Sequence, residues 1–255
     1  MIAAVRMVQR NALVYRRVWR GSVFSSFLQP TLFLIAMGLG LGGMMDAGGA
    51  NLPGGVNYAE FLAPGLLAAT AMQAAAFESA WPILGKMKWH RNYEAVLATP
   101  MSVSDLVFGE LGWIAIRSIT IGVAFVLVMA AFGIPRSLHV LLAIPAAVLT
   151  ALAFAAPIMA FTATLKEPNR FNVLFRFVIT PLFLFSGVFV PISRLPESVA
   201  RAAWLTPLFH GVELVRGVTL DSVPPTWPIH VLFLVVLIAA GTALAQRTFR
   251  RRLYS

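Results

Sequence analysis

The residues that could carry chemistry in this chain of 255 residues are few and lie far apart. The four histidines, His90, His139, His210 and His230, lack the short spacing of zinc ligands, and cysteine is absent. No serine, histidine and aspartate cluster in the sequence as a catalytic triad, although folding could bring distant members together. The pattern therefore predicts no metal site, and we interpret each histidine as an interfacial or loop residue.

The sequence also indicates no nucleotide site. A phosphate-binding loop is glycine-rich, follows a strand and ends in Gly-Lys-Ser or Gly-Lys-Thr, because backbone N–H groups and the lysine must hold the phosphates. Here Gly85 and Lys86 are followed by Met87, and no strand pattern precedes them. We therefore predict that this chain binds no ATP by this route, holds no cofactor and is not itself an enzyme.

Three ionisable residues lie inside apolar segments, where a charge is costly and marks a candidate functional site. They are Glu78, Glu110 and Arg117. Glu110 and Arg117 are seven residues apart and share one face of a helix, so either a structural ion pair or the lining of a gate would explain them. A proton relay would require more carboxylates at mid-membrane depth.

Composition places most of the chain in lipid. Charged residues make up 12% of the chain, against about 25% in soluble domains, and the mean hydropathy is +0.81. The net charge of +10 does not indicate nucleic acid, because the basic residues stand at the ends of apolar segments, as they do at a cytoplasmic membrane surface. We predict an all-α integral membrane protein with a single domain, residues 1–255.

Apolar segments long enough to cross a bilayer predict six transmembrane helices. Their limits are about 22–45, 58–84, 106–132, 140–165, 172–192 and 229–245. Residues 1–21 are basic and amphipathic, which is typical of a helix in the membrane interface. Its apolar face is formed by Val5, Val8, Ala12, Tyr15 and Trp19. Residues 194–228 hold two short helical patterns too polar for full lipid contact, and we expect them to dip into the outer membrane face.

Lysine and arginine predict the orientation. If the N-terminus is inside, the inner segments carry fifteen of them and the outer segments four. The positive-inside rule therefore places both termini, and the loop of residues 86–105, on the cytoplasmic side of the inner membrane. Within this loop, residues 93–98 are compatible with a helix that Thr99 and Pro100 end. Ser102 or Ser104 could then cap the next helix, with Asp105 in its first turn.

The loop and the segment after the fifth span carry a resemblance to a known family. The stretch HRNYEAVLATPMSVSDLVFGEL resembles the loop before the third span in permeases of type-two ABC exporters. Residues 183–217, FLFSGVFVPISRLPESVARAAWLTPLFHGVELVRG, are similar to their C-terminal hallmark. The likeness covers essentially the whole chain, and the nearest subgroup is that of permeases resembling nodulation-factor and daunorubicin exporters.

The resemblance implies a dimer of permeases joined to two separate ATPase subunits, which bind ATP and magnesium. It implies that a short helix at about residues 91–101 docks into the ATPase. The coupling residues would be Arg91, Asn92, Tyr93, Glu94, Leu97, Pro100 and Met101. It also implies re-entrant outer helices at about 196–218 and a dimer interface lined by the first and fifth spans.

On this reading the cargo is amphipathic, lipid-linked or drug-like, and phenylalanines of the fifth span are candidates for an apolar translocation path. These are Phe175, Phe177, Phe183, Phe185 and Phe189, for which ordinary packing or lipid contact is an equal alternative. Two rival functions are a membrane-embedded enzyme acting on lipid-linked intermediates and an ion-coupled transporter. The first would call for acidic or histidine residues clustered at one membrane face, and the second for midplane carboxylates and internal repeats.

Overall fold

The computed structural model describes residues 2–17, 19–43, 55–89 and 92–254, and within these ranges the chain is helical, without strands. Long and short α-helices together define the architecture. They are α1 (Ile2–Tyr15), α2 (Trp19–Phe33), α3 (Tyr58–Lys88), α4 (Asn92–Leu97), α5 (Val103–Ala131), α6 (Ala143–Thr164), α7 (Arg170–Leu174), α8 (Thr180–Phe185), α9 (Glu197–Trp204), α10 (Pro207–Thr219) and α11 (Trp227–Leu253).

Five helical stretches in the described residues are long and apolar enough to cross a membrane. They are Trp19–Gly38, Tyr58–Lys88, Val103–Ala131, Leu138–Thr164 and Trp227–Leu253. The first contains Pro30 and continues beyond α2 as a π-helix, Leu34–Leu41. The predicted limits of the second to fourth and sixth spans agree with these stretches to within about eight residues at each end.

The predicted fifth span, 172–192, is shorter in the structure. Helices α7 and α8 are joined by a π-helical turn, Phe175–Ile179, and the helical backbone ends at Phe185. At 1.5 Å per residue this helix measures about 24 Å, less than the roughly 30 Å of a hydrocarbon core. Gly187 follows in the left-handed region, with φ 81°, so the backbone turns away from a helical course although the sequence stays apolar.

Helix α6 lies at the centre of the bundle and packs against α3, α5, α10 and α11. Small side chains allow this, since nine alanines of α6 are buried and let neighbouring backbones approach closely. At the contact with α11, a Cβ atom added to Gly241 would lie 2.7 Å from the ring of Pro157. Glycine is therefore required there by the close approach of the two helices.

Two capping boxes set the starts of the long helices α3 and α5. Asn57 accepts a hydrogen bond from the backbone of Glu60, whose carboxylate accepts one from the backbone of Asn57. Ser102 and Asp105 make the same reciprocal pair at the start of α5. Of the two serines predicted as possible caps of α5, Ser102 is therefore the cap. Both capping boxes satisfy N–H groups that the helix itself leaves unpaired.

Helix α1 packs against α5 through a seam that includes only part of the predicted apolar face. Met7 and Asn11 are buried and Tyr15 packs against a tryptophan of α5, with the ring centroids 5.5 Å apart, whereas Val5 is 54% exposed. The contact is close because Gly109 of α5 has no side chain: an added Cβ would lie 2.6 Å from the Cβ of Met7. The seam between the two helices therefore includes a polar residue, and part of the apolar pattern stays exposed.

The bundle has two ends, which we call the basic end and the far end. At the basic end, α1, α4, the end of α3 and the end of α11 meet, and Lys88 Nζ donates to the carbonyl of Lys166 at 3.0 Å. At the far end, the start of α3 meets the segment that follows α8, where Tyr58 Oη donates to the carbonyl of Phe189 at 3.3 Å.

Helix α10 is fixed at the far end by polar contacts of its Arg216. Arg216 of α10 lies over the ring of Phe61 at 3.9 Å, and its Nη2 donates to the carbonyls of Phe61 and Gly187 at 3.3 and 2.8 Å. Since Gly187 lies just beyond α8, this arginine ties α10 both to α3 and to the end of the shortened fifth segment.

The histidines occupy three different environments. His210 and His230 are each 1% exposed, and their Nδ1 atoms are 2.7 Å apart, so interpreting them as interfacial or loop residues was wrong. The same interpretation fits His139, which is exposed at the far end and contacts Asp221 at 2.7 Å. His90 lies outside the described residues. Within the described ranges, no three histidine or acidic residues group as metal ligands.

Candidate functional site

The short helix α4 has an inner and an outer side. Tyr93 is fully buried, and Val96, Leu97 and Met101 pack partly buried against the core. Glu94 and Pro100 are exposed, and Asn92 is half-buried. Arg91 of the predicted coupling set lies outside the described residues. The outer side of α4 is therefore available to another molecule, while its inner side is part of the bundle.

Beneath α4 lies a buried polar network centred on Glu110 of α5, which is 2% exposed. Its Oε1 accepts from Lys86 Nζ at 2.7 Å and from Tyr93 Oη at 3.0 Å, and its Oε2 accepts from Lys86 Nζ at 2.8 Å and from Asn11 Nδ2 at 3.1 Å. Lys86 Nζ also donates to Asn11 Oδ1 at 3.2 Å. We call these four residues the Glu110 network.

The Glu110 network joins four helices at one carboxylate. Asn11 comes from α1, Lys86 from α3, Tyr93 from α4 and Glu110 from α5. Each oxygen of Glu110 accepts two hydrogen bonds, so the buried charge is both paired and fully solvated by protein groups. A displacement of α4 cannot leave this carboxylate unaffected, because Tyr93 would either carry it along or give up its hydrogen bond.

Tyr93 is held as a neutral phenol. Burial, which is the main cause, and the adjacent Glu110 carboxylate raise the pKa of Tyr93 well above its usual value. Its ring also packs against Phe249 of α11, with the centroids 6.0 Å apart. The phenol therefore remains a hydrogen-bond donor to Glu110 throughout the physiological pH range and connects α4 to the last helix as well.

A second charged pair lies deeper in the bundle. Arg117 Nε of α5 is 3.4 Å from Glu78 Oε1 of α3, and Arg117 Nη1 donates to Tyr15 Oη of α1 at 2.6 Å. The guanidinium also lies over the Tyr15 ring at 4.5 Å. Glu110 and Arg117 thus do not pair with each other, and the proposed ion pair between them was wrong: each finds its partner on α3.

Helices α3 and α5 are consequently joined by ion pairs in two layers of the bundle. In the layer nearer the basic end α3 supplies the cation, Lys86, and α5 the anion, Glu110. In the deeper layer the signs are reversed, with Glu78 on α3 and Arg117 on α5. In each of these two layers, the charge on one helix is paired with a charge of opposite sign on the other. The two ion pairs therefore link the position of α3 to that of α5.

The phenylalanines considered for a translocation path fall into two groups. Phe175 packs on Trp81 with centroids 4.8 Å apart, and Phe183 packs edge-on against Phe189 at 4.9 Å. Phe177 and Phe185 are 69% and 52% exposed. These two face an open groove of about 510 Å³ between α8 and α9, whose other lining residues are mostly small or aliphatic.

The sequence did not identify Asn11, Lys86 and Tyr15 as members of a site. Asn11 was detectable in principle, because it stands four residues after Met7 on a helix and so shares its buried face. Lys86 was read as part of a polar loop, but it belongs to the last turn of α3. Nothing in the sequence pattern indicates the contact of Tyr15 with Arg117, which are 102 residues apart.

Known proteins resemble this chain over nearly its whole length. Residues 3–220 match the family described as ABC-2 type transporter. Nodulation protein J of Rhizobium leguminosarum bv. trifolii is 34% identical over 245 residues, covering 96% of this chain and 92% of that protein. Nodulation protein J of Bradyrhizobium diazoefficiens has the same identity and coverage.

A more distant relative is the inner membrane transport permease YadH of Escherichia coli, 25% identical over 239 residues, covering 91% of this chain and 90% of that protein. The chain therefore belongs to the ABC-2 type transporter family, as a non-catalytic transmembrane permease subunit of an ABC transporter whose ATPase is a separate partner.

Proposed function

We propose that this permease exports an amphipathic, lipid-linked or drug-like molecule across the inner membrane, driven by ATP that a separate subunit hydrolyses. The observation that carries the proposal is the attachment of α4 to the Glu110 network. A helix with a free outer side and a fully buried tyrosine on its inner side is suited to receive movement from a soluble subunit and to pass it to the bundle. ATP and magnesium act in that partner, and this chain contributes the membrane path.

Six crossings are part of the proposal, and contacts at the two ends of the bundle support it. Lys166 contacts Lys88 at the basic end, and Phe189 contacts Tyr58 at the far end. The chain between them, which includes α7 and α8, would therefore make the remaining crossing despite its short helix. The proposal of six crossings is also supported by α1 contacting Glu110 and Phe249 contacting Tyr93 at the basic end, since two termini on the same side would go with an even number of crossings.

We place the basic end in the cytoplasm. Fifteen lysines and arginines belong to segments of that side and four to the opposite side, which is the bias of cytoplasmic loops. The far end, with α9 and α10 as short re-entrant helices, would then face outward. Residues 1–21 would lie along the inner membrane surface, since the half-exposed apolar side chains of α1 are turned away from the bundle.

The proposed mechanism is mechanical. Closure of an ATPase dimer moves α4 through contacts with its outer side, including Glu94, and Tyr93 transmits the displacement to α5, α3 and α1 through the Glu110 network. The permease would have two states that ATP binding rebalances, since a ligand shifts only conformations that are accessible. A complex of two permeases and two ATPase subunits, with the permease paired with itself or with a sister chain, completes the proposal.

For the translocation path we propose the exposed side of the fifth segment. Phe177 and Phe185 face the groove between α8 and α9, so they are the members of the phenylalanine set that another molecule could contact. Phe175, Phe183 and Phe189 pack inside the protomer and would support the wall of the path. An apolar surface of this kind suits the hydrocarbon part of an amphipathic cargo and does not suit a small hydrophilic solute.

The proposal is tested by Glu94→Arg. The change reverses the charge on the outer side of α4 and leaves Tyr93 and the Glu110 network in place. We expect less of a soluble subunit carrying a phosphate-binding loop to co-purify from native membranes in mild detergent, and lower coupled ATPase activity. Glu197→Arg is the matched control, because Glu197 is an exposed glutamate at the far end. Unchanged co-purification and unchanged coupled activity for Glu94→Arg would contradict the proposal.

A further inference from the structure

Three arginines between α1 and α2 surround one cavity. A cavity of about 350 Å³ is lined by Arg16, Arg17, Trp19, Arg20 and Gly21. Arg20 lies over the Trp19 ring at 5.8 Å, and Trp19 is 46% exposed. Three cationic side chains and an aromatic one thus face the same space, where the proposed interfacial helix turns into the first apolar helix. We call this cavity the elbow site.

Within the part of the chain that the structure describes, no carboxylate forms an ion pair with Arg16, Arg17 or Arg20. By contrast, two basic residues inside the bundle are paired: Lys86 with Glu110, and Arg117 with Glu78. The sequence contains no acidic residue before Asp46, so no carboxylate of the elbow itself can neutralise the three guanidinium groups.

We infer that the elbow site binds the phosphate of an anionic phospholipid from the same membrane leaflet. A guanidinium group presents two parallel N–H donors that match a phosphate, and Trp19 suits the region between head groups and acyl chains. Because three cations converge and no carboxylate of the described residues pairs with them, an anionic head group fits the site and a zwitterionic one, which brings its own cation, does not. The inference does not depend on the direction of transport or on the cargo.

The elbow site is connected to the Glu110 network through α1. Asn11 lies in α1, the helix that ends just before the elbow site, and it bonds both Glu110 and Lys86; Tyr15, the last residue of α1, bonds Arg117. A lipid bound at the elbow site would therefore restrain the C-terminal end of α1. This helix contributes Asn11 to the Glu110 network and Tyr15 to the contacts of Arg117. Anionic lipid would accordingly stabilise the packing of α1 on α5.

The test measures lipid retained by the full-length purified protein. The wild type, an elbow variant R16Q/R17Q/R20Q and a control variant R250Q/R251Q/R252Q are offered phosphatidylglycerol or phosphatidylcholine in detergent, and bound lipid is counted by native mass spectrometry. The control removes the same number of arginines from α11, so both variants have the same net charge. We expect the elbow variant to bind phosphatidylglycerol about a hundredfold more weakly, since each basic side chain near an anionic surface contributes about fivefold. The control variant should retain it, and phosphatidylcholine should bind to none of the three.

Further variants separate the inference from its rivals. R16K/R17K/R20K keeps the charge that directs membrane insertion but loses the paired donors, so we expect its retention to fall between the wild type and the glutamine variant. Equal loss in the elbow and control variants, or retention of lipid by the elbow variant, would overturn the inference. So would displacement of the lipid by inorganic phosphate, which would assign the site to a soluble anion. Because none of these readouts requires an ATPase, their failure is distinct from a failure of the proposed transport function.

Discussion

Glu110 shows how one side chain can be both costly and necessary. A carboxylate that is 2% exposed is tolerated only because Lys86, Tyr93 and Asn11 together satisfy both of its oxygens. The role of Glu110 is therefore to fix the relative positions of the helices that bind it. Four helices meet at this carboxylate, and any of them that moved away from it would lose a hydrogen bond or, for α3 and α5, an ion pair.

This predicts the effect of Glu110→Gln. The change leaves the Lys86 ammonium without an anion, and Lys86 is only 19% exposed. Removing one partner of a buried pair costs about 3–5 kcal/mol of unfolding free energy. The double variant K86M/E110M should recover most of that stability while remaining poorly coupled, because apolar side chains pack but do not bind Tyr93 and Asn11. Thermal unfolding of the purified variants measures the stability, and ATPase stimulation measures the coupling.

The control for this prediction is the ion pair between Glu197 and Arg201. Both side chains are 78% exposed, so Glu197→Gln should change the unfolding free energy by less than about 1 kcal/mol. A Glu110→Gln protein as stable as the Glu197→Gln protein would contradict the role assigned to the Glu110 network.

At the scale of elements, the position of α1 depends on a single small residue of α5, Gly109. Met7 lies over Gly109 so closely that even a methyl group has no room, and the same contact brings Asn11 to Glu110. The separation between α1 and α5 therefore decides whether the Glu110 network forms completely.

Gly109→Ala should move α1 away from α5. A new Cβ 2.6 Å from the Cβ of Met7 cannot be accommodated by rotating a side chain, so we expect a loss of about 1–3 kcal/mol in thermal unfolding, together with weaker coupling. Gly21→Ala is the matched control, since nothing lies within 4 Å of its added Cβ. That variant should be neutral or more stable by up to about 1 kcal/mol, because alanine favours helix. Equal effects of the two substitutions would contradict the packing argument.

The sequence predicted elements better than it predicted contacts. The starts of α3 and α5 follow from Asn57 and Ser102, whose capping chemistry is local and therefore visible in the sequence. The end of the fifth segment does not, because the apolar sequence continues past Phe185. There the turn at Gly187 is held by Arg216, which comes from 29 residues farther along the chain.

The site was predictable to a similar degree. The polar loop predicted a short helix, which is α4, and the family resemblance implied that this helix would dock into an ATPase. The sequence did not distinguish the buried tyrosine on the inner side of α4 from its neighbours. The pairing of Glu110 with Lys86 rather than with Arg117 depends on the antiparallel approach of α3 and α5. A helix periodicity argument finds residues on the same face, but it cannot say which neighbouring helix that face will meet.

For the whole molecule, the proposed topology predicts which residues lie on each side of the membrane. Because the sequence contains no cysteine, single introduced cysteines can test this prediction. Single cysteines replacing Ser193 and Ser222 would lie at the far end, and cysteines replacing Thr99 and Tyr254 at the basic end, all at exposed positions. We expect a membrane-impermeant maleimide to label the first two in intact cells and the last two only after permeabilisation. The cysteine-free wild type provides the background.

One pattern of labelling would contradict six crossings. If Ser193→Cys and Thr99→Cys became accessible from the same side, the segment with α7 and α8 would not cross the membrane, and the five long helices would be the full set. Labelling of Tyr254→Cys in intact cells would instead contradict the orientation that the distribution of lysine and arginine predicts.

The two ion pairs between α3 and α5 also have a consequence for membrane insertion during synthesis. When α3 leaves the ribosome it carries Glu78 and Lys86, and the residues that neutralise them, Arg117 and Glu110, have not yet been made. Because an unpaired charge in hydrocarbon is costly, the free energy of placing α3 in lipid is lower if α3 stays at the translocation channel until α5 arrives. The two helices would then enter the lipid as one hairpin, and the loop between them, which contains α4, would be fixed in place by the same event that neutralises the charges.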